Sequence, residues 1–155
     1  MAEPSAPPMA RPRVAAGALF FDASDRILLV KPTYKDGWDI PGGYVEPGET
    51  PLEACHREVK EELGLSLAVG GLLVVDWAPS EREGDKLLFV FDGGRLGADQ
   101  LAAIVLPSDE LSTCEFVPPK DARGRLVDRL ERRISRALEA RRSGGTFYLE
   151  HGDHP

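Results

Sequence analysis

The stretch from Thr50 to Leu65 restricts what this chain can fold into more than any other. Thr50 can cap a helix, Pro51 suits the first helical position, and Glu53 follows Thr50 by three residues, which together form a capping box. Gly64 supplies the left-handed residue that ends such a helix, and Leu65 the apolar residue after it. A helix reaching about Leu63 is therefore expected. Leu52, Cys55, Val59 and Leu63 recur at spacings of three and four and should pack on a sheet. Glu58, Glu61 and Glu62 stand at i, i+3 and i+4 and share another face. Carboxylates gathered this closely repel, and each raises the pKa of the others unless a cation compensates. Hard oxygen ligands suit Mg2+ or Mn2+. For three glutamates alone, a solvated acidic face is the plainer alternative.

The preceding loop favours the metal. Gly42 and Gly43 allow backbone geometries closed to other residues and leave room for a close ligand. A freed carbonyl there could complete a metal shell. Arg57 is placed to pair with Glu49 and hold the loop against the helix.

These residues resemble the Nudix box, G-x5-E-x7-R-E-U-x-E-E-x-G-U, where U is a bulky aliphatic residue. Gly43, Glu49, Arg57, Glu58, Val59, Glu61, Glu62, Gly64 and Leu65 fill every fixed position, nine in a span of 23 residues. The lead-in Trp38-x-x-Pro41-Gly42-Gly43 and the final helix also look like that family. The resemblance implies an α/β fold, a Nudix-type α/β/α sandwich with a mixed sheet between helices. It implies metal-dependent hydrolysis of a diphosphate linkage in a nucleoside diphosphate derivative or nucleoside triphosphate, by water attack on phosphorus. By position, Glu58, Glu61 and Glu62 would be metal ligands, with Mg2+ the expected ion and Mn2+ a substitute. The Gly42/Gly43 backbone would line the metal site, and Glu49 would act through Arg57. Many members add a glutamate from a loop before the last strand; Glu110 is the first candidate here and Glu115 the second.

The box does not select the substrate. Tyr34, Trp38 and Trp77 could stack on a base, and Lys31 and Lys35 could touch a phosphate, although aromatics of this kind more often anchor loops or cores. The chain has no asparagine, the residue with which some relatives that sanitise oxidised guanine nucleotides read the base. Backbone groups or Asp121 would have to serve instead. Pro79 stands near a proline that relatives acting on ADP-ribose often have, with imperfect spacing. The rival reading is a non-catalytic Nudix-fold nucleotide sensor, which the intact box disfavours.

The rest of the chain reads as a frame. Val14–Asp22 and Arg26–Lys31 form a predicted hairpin, and Leu72–Trp77 and Lys86–Phe91 two further strands. The stretch Leu101–Leu106 is ambiguous between strand and helix end, and Phe116 and Val117 belong to a last short strand. Leu126, Leu130, Ile134 and Leu138 mark a long amphipathic helix over 121–142. Its eight arginines, interleaved with acids, read as a solvated face; a partner-binding role for them is the least supported alternative.

With 155 residues, one domain is expected, here 14–142, between a disordered lead-in at 1–13 and a flexible tail at 143–155 that carries His151 and His154. A net charge of −7 argues against a protein that coats nucleic-acid polymers. It is compatible with a phosphorylated small molecule met through cations. Cys55 and Cys114 read as free thiols in a reducing cytoplasm. No apolar run reaches the roughly 18–20 residues needed to cross a bilayer, so no membrane partner is expected. Homodimers are frequent in the resembled family, and a second copy is the other partner considered.

Overall fold

Six consecutive residues, Ala16 to Phe21, are buried, which requires cover on both faces of their strand. The computed structural model, which describes residues 1–155, supplies that cover. Strand β1 (Arg13–Phe21) lies inside a seven-stranded mixed sheet with β2 (Ile27–Pro32), β3 (Gly42–Tyr44), β4 (Leu72–Trp77), β5 (Lys86–Arg95), β6 (Leu111–Val117) and β7 (Phe147–Glu150). The order is β6-β2-β1-β5-β4-β7, with β3 paired to β1 off this path. Helices α1 (Pro51–Leu63) and α3 (Asp128–Ser143) cover opposite faces, and α2 (Ala98–Ala102) is a short connector. The result is the expected α/β sandwich.

Alternation along the strands divides the core. Phe20, Leu28 and Val30 pack with Cys55, Val59 and Leu63 of α1. Leu19, Phe21, Ile27 and Leu29 share the opposite cluster with Leu130, Ile134 and Ala137 of α3. Leu52, assigned to the packing face of α1, is 40% exposed.

One detail of β1 positions the site. Its edge pairs with β2 at Phe21 and Ile27, and with β3 at Ala15, Ala16 and Gly17. The two partners divide β1 between them, and residues 33–41 bridge the divergence through the Val30–Asp39 pair. The splayed sheet faces the glycines of β3 toward α1. Gly17 and Gly42 permit this contact: a Cβ at Gly17 would come within 2.7 Å of the Pro41 carbonyl oxygen, and one at Gly42 within 2.4 Å of the Ala16 carbonyl oxygen.

Three expectations change at the C-terminal end. Helix α3 begins at Asp128, not Asp121, because Gly124 takes φ +80° and Val127 is extended, so both break the helical path. Residues 143–155 are not a loose tail. They contribute β7, parallel to β4, with Leu149 fully buried. The arginine face is not simply solvated either. Arg133 donates to Asp76 at 2.6 Å, and Asp76 also accepts from the Gly152 amide at 3.0 Å, with both acid and guanidinium buried. Arg132 donates to the His151 carbonyl, Arg136 pairs with Asp153, and Arg141 pairs with Asp92 and covers the Phe21 ring at 4.0 Å. Arg132, Arg133 and Arg136 thereby tie the segment after β7 to the domain, while Arg141 ties α3 to β5 and β1. Residues 1–12 enter no helix or strand, and no helix is long and apolar enough to cross a membrane.

Candidate active site

The site is built on α1, whose ends are set locally. Thr50 accepts from the Glu53 amide at 3.1 Å, and Glu53 accepts from the Thr50 amide at 2.8 Å. Gly64, at φ +72°, closes the helix by donating to the Lys60 carbonyl. With both ends fixed, the 3.6-residue period aims Glu58 and Glu62 toward β3 and leaves Glu61 at the rim, about half exposed.

Arg57 binds the loop to the helix. Its Nε donates to Glu49 Oε2 at 2.7 Å and its Nη2 to Glu49 Oε1 at 3.0 Å, a bidentate pair. Nη2 also donates to the Tyr44 carbonyl at 3.0 Å, and Nη1 to Glu58 at 3.0 Å and Glu61 at 3.3 Å. Glu49 accepts from the Glu46 amide as well, which folds the intervening turn. The Arg57 guanidinium, with the Glu46 amide, holds the Glu49 carboxyl below its ordinary range.

The acids beside the glycines are held differently. Burial pushes Glu62 up to about 8, and the Glu58 charge adds to this, while the Gly42 amide, 3.3 Å from Glu62 Oε2, opposes it. Glu58 is also raised by burial, against the pull of Arg57. A Cβ on Gly43 would stand 2.4 Å from the Glu58 carboxyl carbon, so only glycine lets that backbone lie against the acid. Glu110, on the loop before β6, is exposed, and its side chain makes no hydrogen bond or ion pair; its charge acts on both Glu58 and Glu62. Glu115 lies elsewhere, in an ion pair with Arg125 at 2.7 Å.

All the donors are oxygens, as hard cations require, and the buried Glu62 beside the partly buried Glu58 is unfavourable in its charged form unless positive charge joins it. The residues therefore fit a divalent cation chemically. Glu58 and Glu61 lean on Arg57 Nη1, and no three acidic groups converge on a common point.

The candidate substrate residues occupy different settings. Tyr34 is 77% exposed and stands near the acids. Lys31 donates to the carbonyls of Pro32 and Lys35, and Lys35 pairs with Asp39. Trp38 packs on the α3-side core with the Arg125 guanidinium 5.3 Å from its ring, so that face is already taken. Asp39 was missed from sequence. Its charge acts on Glu62 and Arg133, a proximity created by the Val30–Asp39 bridge with no local signal.

A titration follows from Glu62. An unfolded chain ionises it near the ordinary value of 4.5, and the folded protein near 8, so between these pH values the folded state holds the extra proton. Stability from this group is present below the lower value and is lost as pH rises through the upper one. With divalent ions chelated, the melting temperature of Glu62→Gln should match that of the unaltered protein near pH 4 and exceed it increasingly toward pH 8. A constant difference across that range would contradict the buried, uncompensated acid.

Comparison with known proteins bears on the family and the fold. The family model for the NUDIX domain matches residues 11–139. A Bacillus subtilis protein named putative 8-oxo-dGTP diphosphatase is 38% identical over 85 residues, 54% of this chain and 57% of that protein. The 8-oxo-dGDP phosphatase of Homo sapiens is 39% identical over 94 residues, 57% of this chain and 28% of that protein. The chain thus matches little more than half of the first relative and under a third of the second. Among solved structures, a MutT protein from Methanosarcina mazei superposes with a TM-score of 0.71 at 23% identity, covering 88% of this chain and 99% of the other. A UDP-X diphosphatase superposes at 0.74 and 23% identity, covering 92% and 69%. At that identity the likeness concerns the fold.

Proposed function

Since the chain belongs to the Nudix family, we propose that it is a metal-dependent hydrolase that cleaves a diphosphate linkage in a nucleoside triphosphate or nucleoside diphosphate derivative. The observation that carries this reading is the set of acids packed against the Gly42–Gly43 backbone, with Glu62 buried and Glu58 partly buried at an energetic cost that a cation would offset.

Glu58, Glu61, Glu62 and the Gly43 carbonyl are the oxygens assigned to Mg2+, with Mn2+ as a substitute. When bound, the ion supplies positive charge against the diphosphate oxygens and makes water easier to deprotonate. The chain's own residues do the rest. Arg57 and Glu49 fix the glycine backbone relative to α1, so that the acids keep their spacing without reorganising during reaction. Glu110, free of an ion-pair partner, is the group assigned to accept the proton of the attacking water. Tyr34 and Lys35, on both of which the Glu62 charge acts, are assigned to the nucleotide.

The named activities of the relatives make 8-oxo-dGTP and 8-oxo-dGDP the first substrates to test, beside unmodified triphosphates and nucleoside diphosphate sugars. Hydrolysis should require Mg2+ or Mn2+ and yield products cut at the diphosphate. Tight nucleotide binding with no cleavage in either metal would favour a nucleotide sensor instead. Gly43→Ala offers a sharper check. The added methyl displaces a flexible carboxylate, so the fold should persist while turnover falls at least tenfold; turnover equal to that of the unaltered protein would remove Gly43 from the site.

A further inference from the structure

Strand β3 is three residues long and has only β1 beside it. Such a strand has few backbone bonds to hold it, yet Gly42 and Gly43 must stay within contact of Glu62 and Glu58. The last residue of β3, Tyr44, has two further attachments. Its carbonyl accepts from Arg57, and its side chain crosses to the β4–β5 loop. There the phenol donates to Glu83 Oε1 at 2.5 Å, while Lys86 donates to Glu83 Oε2 at 2.5 Å and lies 5.6 Å from the centre of the tyrosine ring.

The far end of this contact is itself anchored. The Glu83 amide donates to Ser80 Oγ at 3.1 Å, and the loop is pinched by paired Ser80–Gly84 backbone bonds of 3.0 and 2.8 Å. The Asp85 carbonyl accepts from the Arg13 amide, and Lys86 is in register with Arg13 at the start of β1. Glu83 is thus joined to β1 and β5, the rigid centre of the sheet. Lys86, and then the tyrosine hydroxyl, hold its carboxyl down at about 2, so it stays an acceptor at any working pH. Neither Glu83 nor Lys86 belongs to the acid platform, and the Tyr44 ring is 44% exposed. The contact contributes little to the core, so its principal mechanical effect falls on β3.

We infer that the Tyr44 side chain, Glu83 and Lys86 form a strap that holds β3 from its open edge and makes these three positioning residues for the glycine backbone of the active site. The effect on turnover rests on the hydrolase reading above; the effect on β3 does not. Loss of the strap should loosen the glycines without unfolding the sheet, because β1 keeps its parallel pairing to β5 along its length. It should therefore lower kcat and leave KM nearly unchanged, since the nucleotide-facing loop at 33–39 is held separately.

The test uses Tyr44→Phe, Glu83→Gln and their double variant in the full chain. Amide exchange is followed at Gly42 and Val45, whose protons go to Glu62 and to the Val14 carbonyl. Turnover of 8-oxo-dGTP with Mg2+ is measured in parallel. We expect exchange at these two amides to rise about tenfold in either single variant, with core amides of β1 and β5 unchanged. We expect kcat to fall roughly five- to tenfold with KM within twofold, and the double variant to be no worse than the worse single one, as for two ends of one connection. Unchanged exchange at Gly42 and Val45 would overturn the strap. So would accelerated exchange throughout the sheet, additive losses in the double variant, or a defect confined to KM. If the unaltered protein cleaves none of the nucleotides, the hydrolase reading fails, and the exchange and its non-additivity still decide whether the strap exists.

Discussion

Glu62→Gln should lower turnover by about a thousandfold while making the metal-free protein more heat-stable at neutral pH. The two effects have one origin. Glu62 lies 9% exposed beside Glu58, and burial there works against its charged form. Glutamine keeps an oxygen for the Gly42 amide and removes the charge, so the folded state gains. The same change removes an anionic oxygen from the place where a cation must be held. Loss of one preorganised electrostatic contact in a reaction centre typically costs about 100- to 1,000-fold, roughly 3–4 kcal/mol of barrier. Glu61→Gln should also reduce turnover by orders of magnitude but without the gain in stability, because its carboxylate is half exposed at the rim. The measurements are kcat in saturating Mg2+ and thermal melting in chelator. Turnover retained in folded Glu62→Gln would remove that residue from the reaction.

The second large effect concerns stability. Arg133→Met should destabilise the protein by about 3–5 kcal/mol, because it strands a buried carboxylate without its counter-charge. Asp76 is fully buried and receives both the Arg133 guanidinium and the Gly152 amide, so the pair joins α3, β4 and the segment after β7. At roughly 2–4 °C per kcal/mol for a chain of this size, the melting temperature should fall by about 6–20 °C. Asp76→Asn combined with Arg133→Met should recover part of the loss, since the amide keeps an acceptor for Gly152 and no charge is left alone. A change of under 1 kcal/mol in the single variant would show that this pair is not an internal tie. Gly152 has no freedom of its own: a Cβ there would meet the Arg129 carbonyl oxygen at 2.5 Å.

The contrast between these sites shows what was legible in the sequence. Helix α1 was readable because its determinants are local. Thr50, Glu53 and Gly64 set its ends within one helix length, and the spacing of Glu58, Glu61 and Glu62 then fixes which way they face. The Glu49–Arg57 pair spans only eight residues and could be anticipated from the same geometry. Arg133 could not. Among the six arginines of α3 nothing marks it as buried, because its partner Asp76 is 57 positions away and becomes a neighbour only when α3 packs on β4. The same holds for Tyr44 and Glu83, 39 positions apart. Strand β7 offers four residues with a single fully buried side chain, Leu149, too short for a period of two to stand out between glycines. The late start of α3 was foreshadowed by Gly124, but the apolar spacing that continues through Leu126 masked it.

Hydrolysis by this chain requires α1 to hold a divalent cation against the glycine backbone of β3. The most direct measurement is a Mn2+ titration followed by electron paramagnetic resonance, without nucleotide, comparing the unaltered protein with Glu58→Gln and Glu62→Gln. The unaltered protein should bind Mn2+ and release it to excess Mg2+, with affinity falling at least tenfold in each variant while both stay folded. Equal Mn2+ binding in all three proteins would place the ion elsewhere and contradict the assignment.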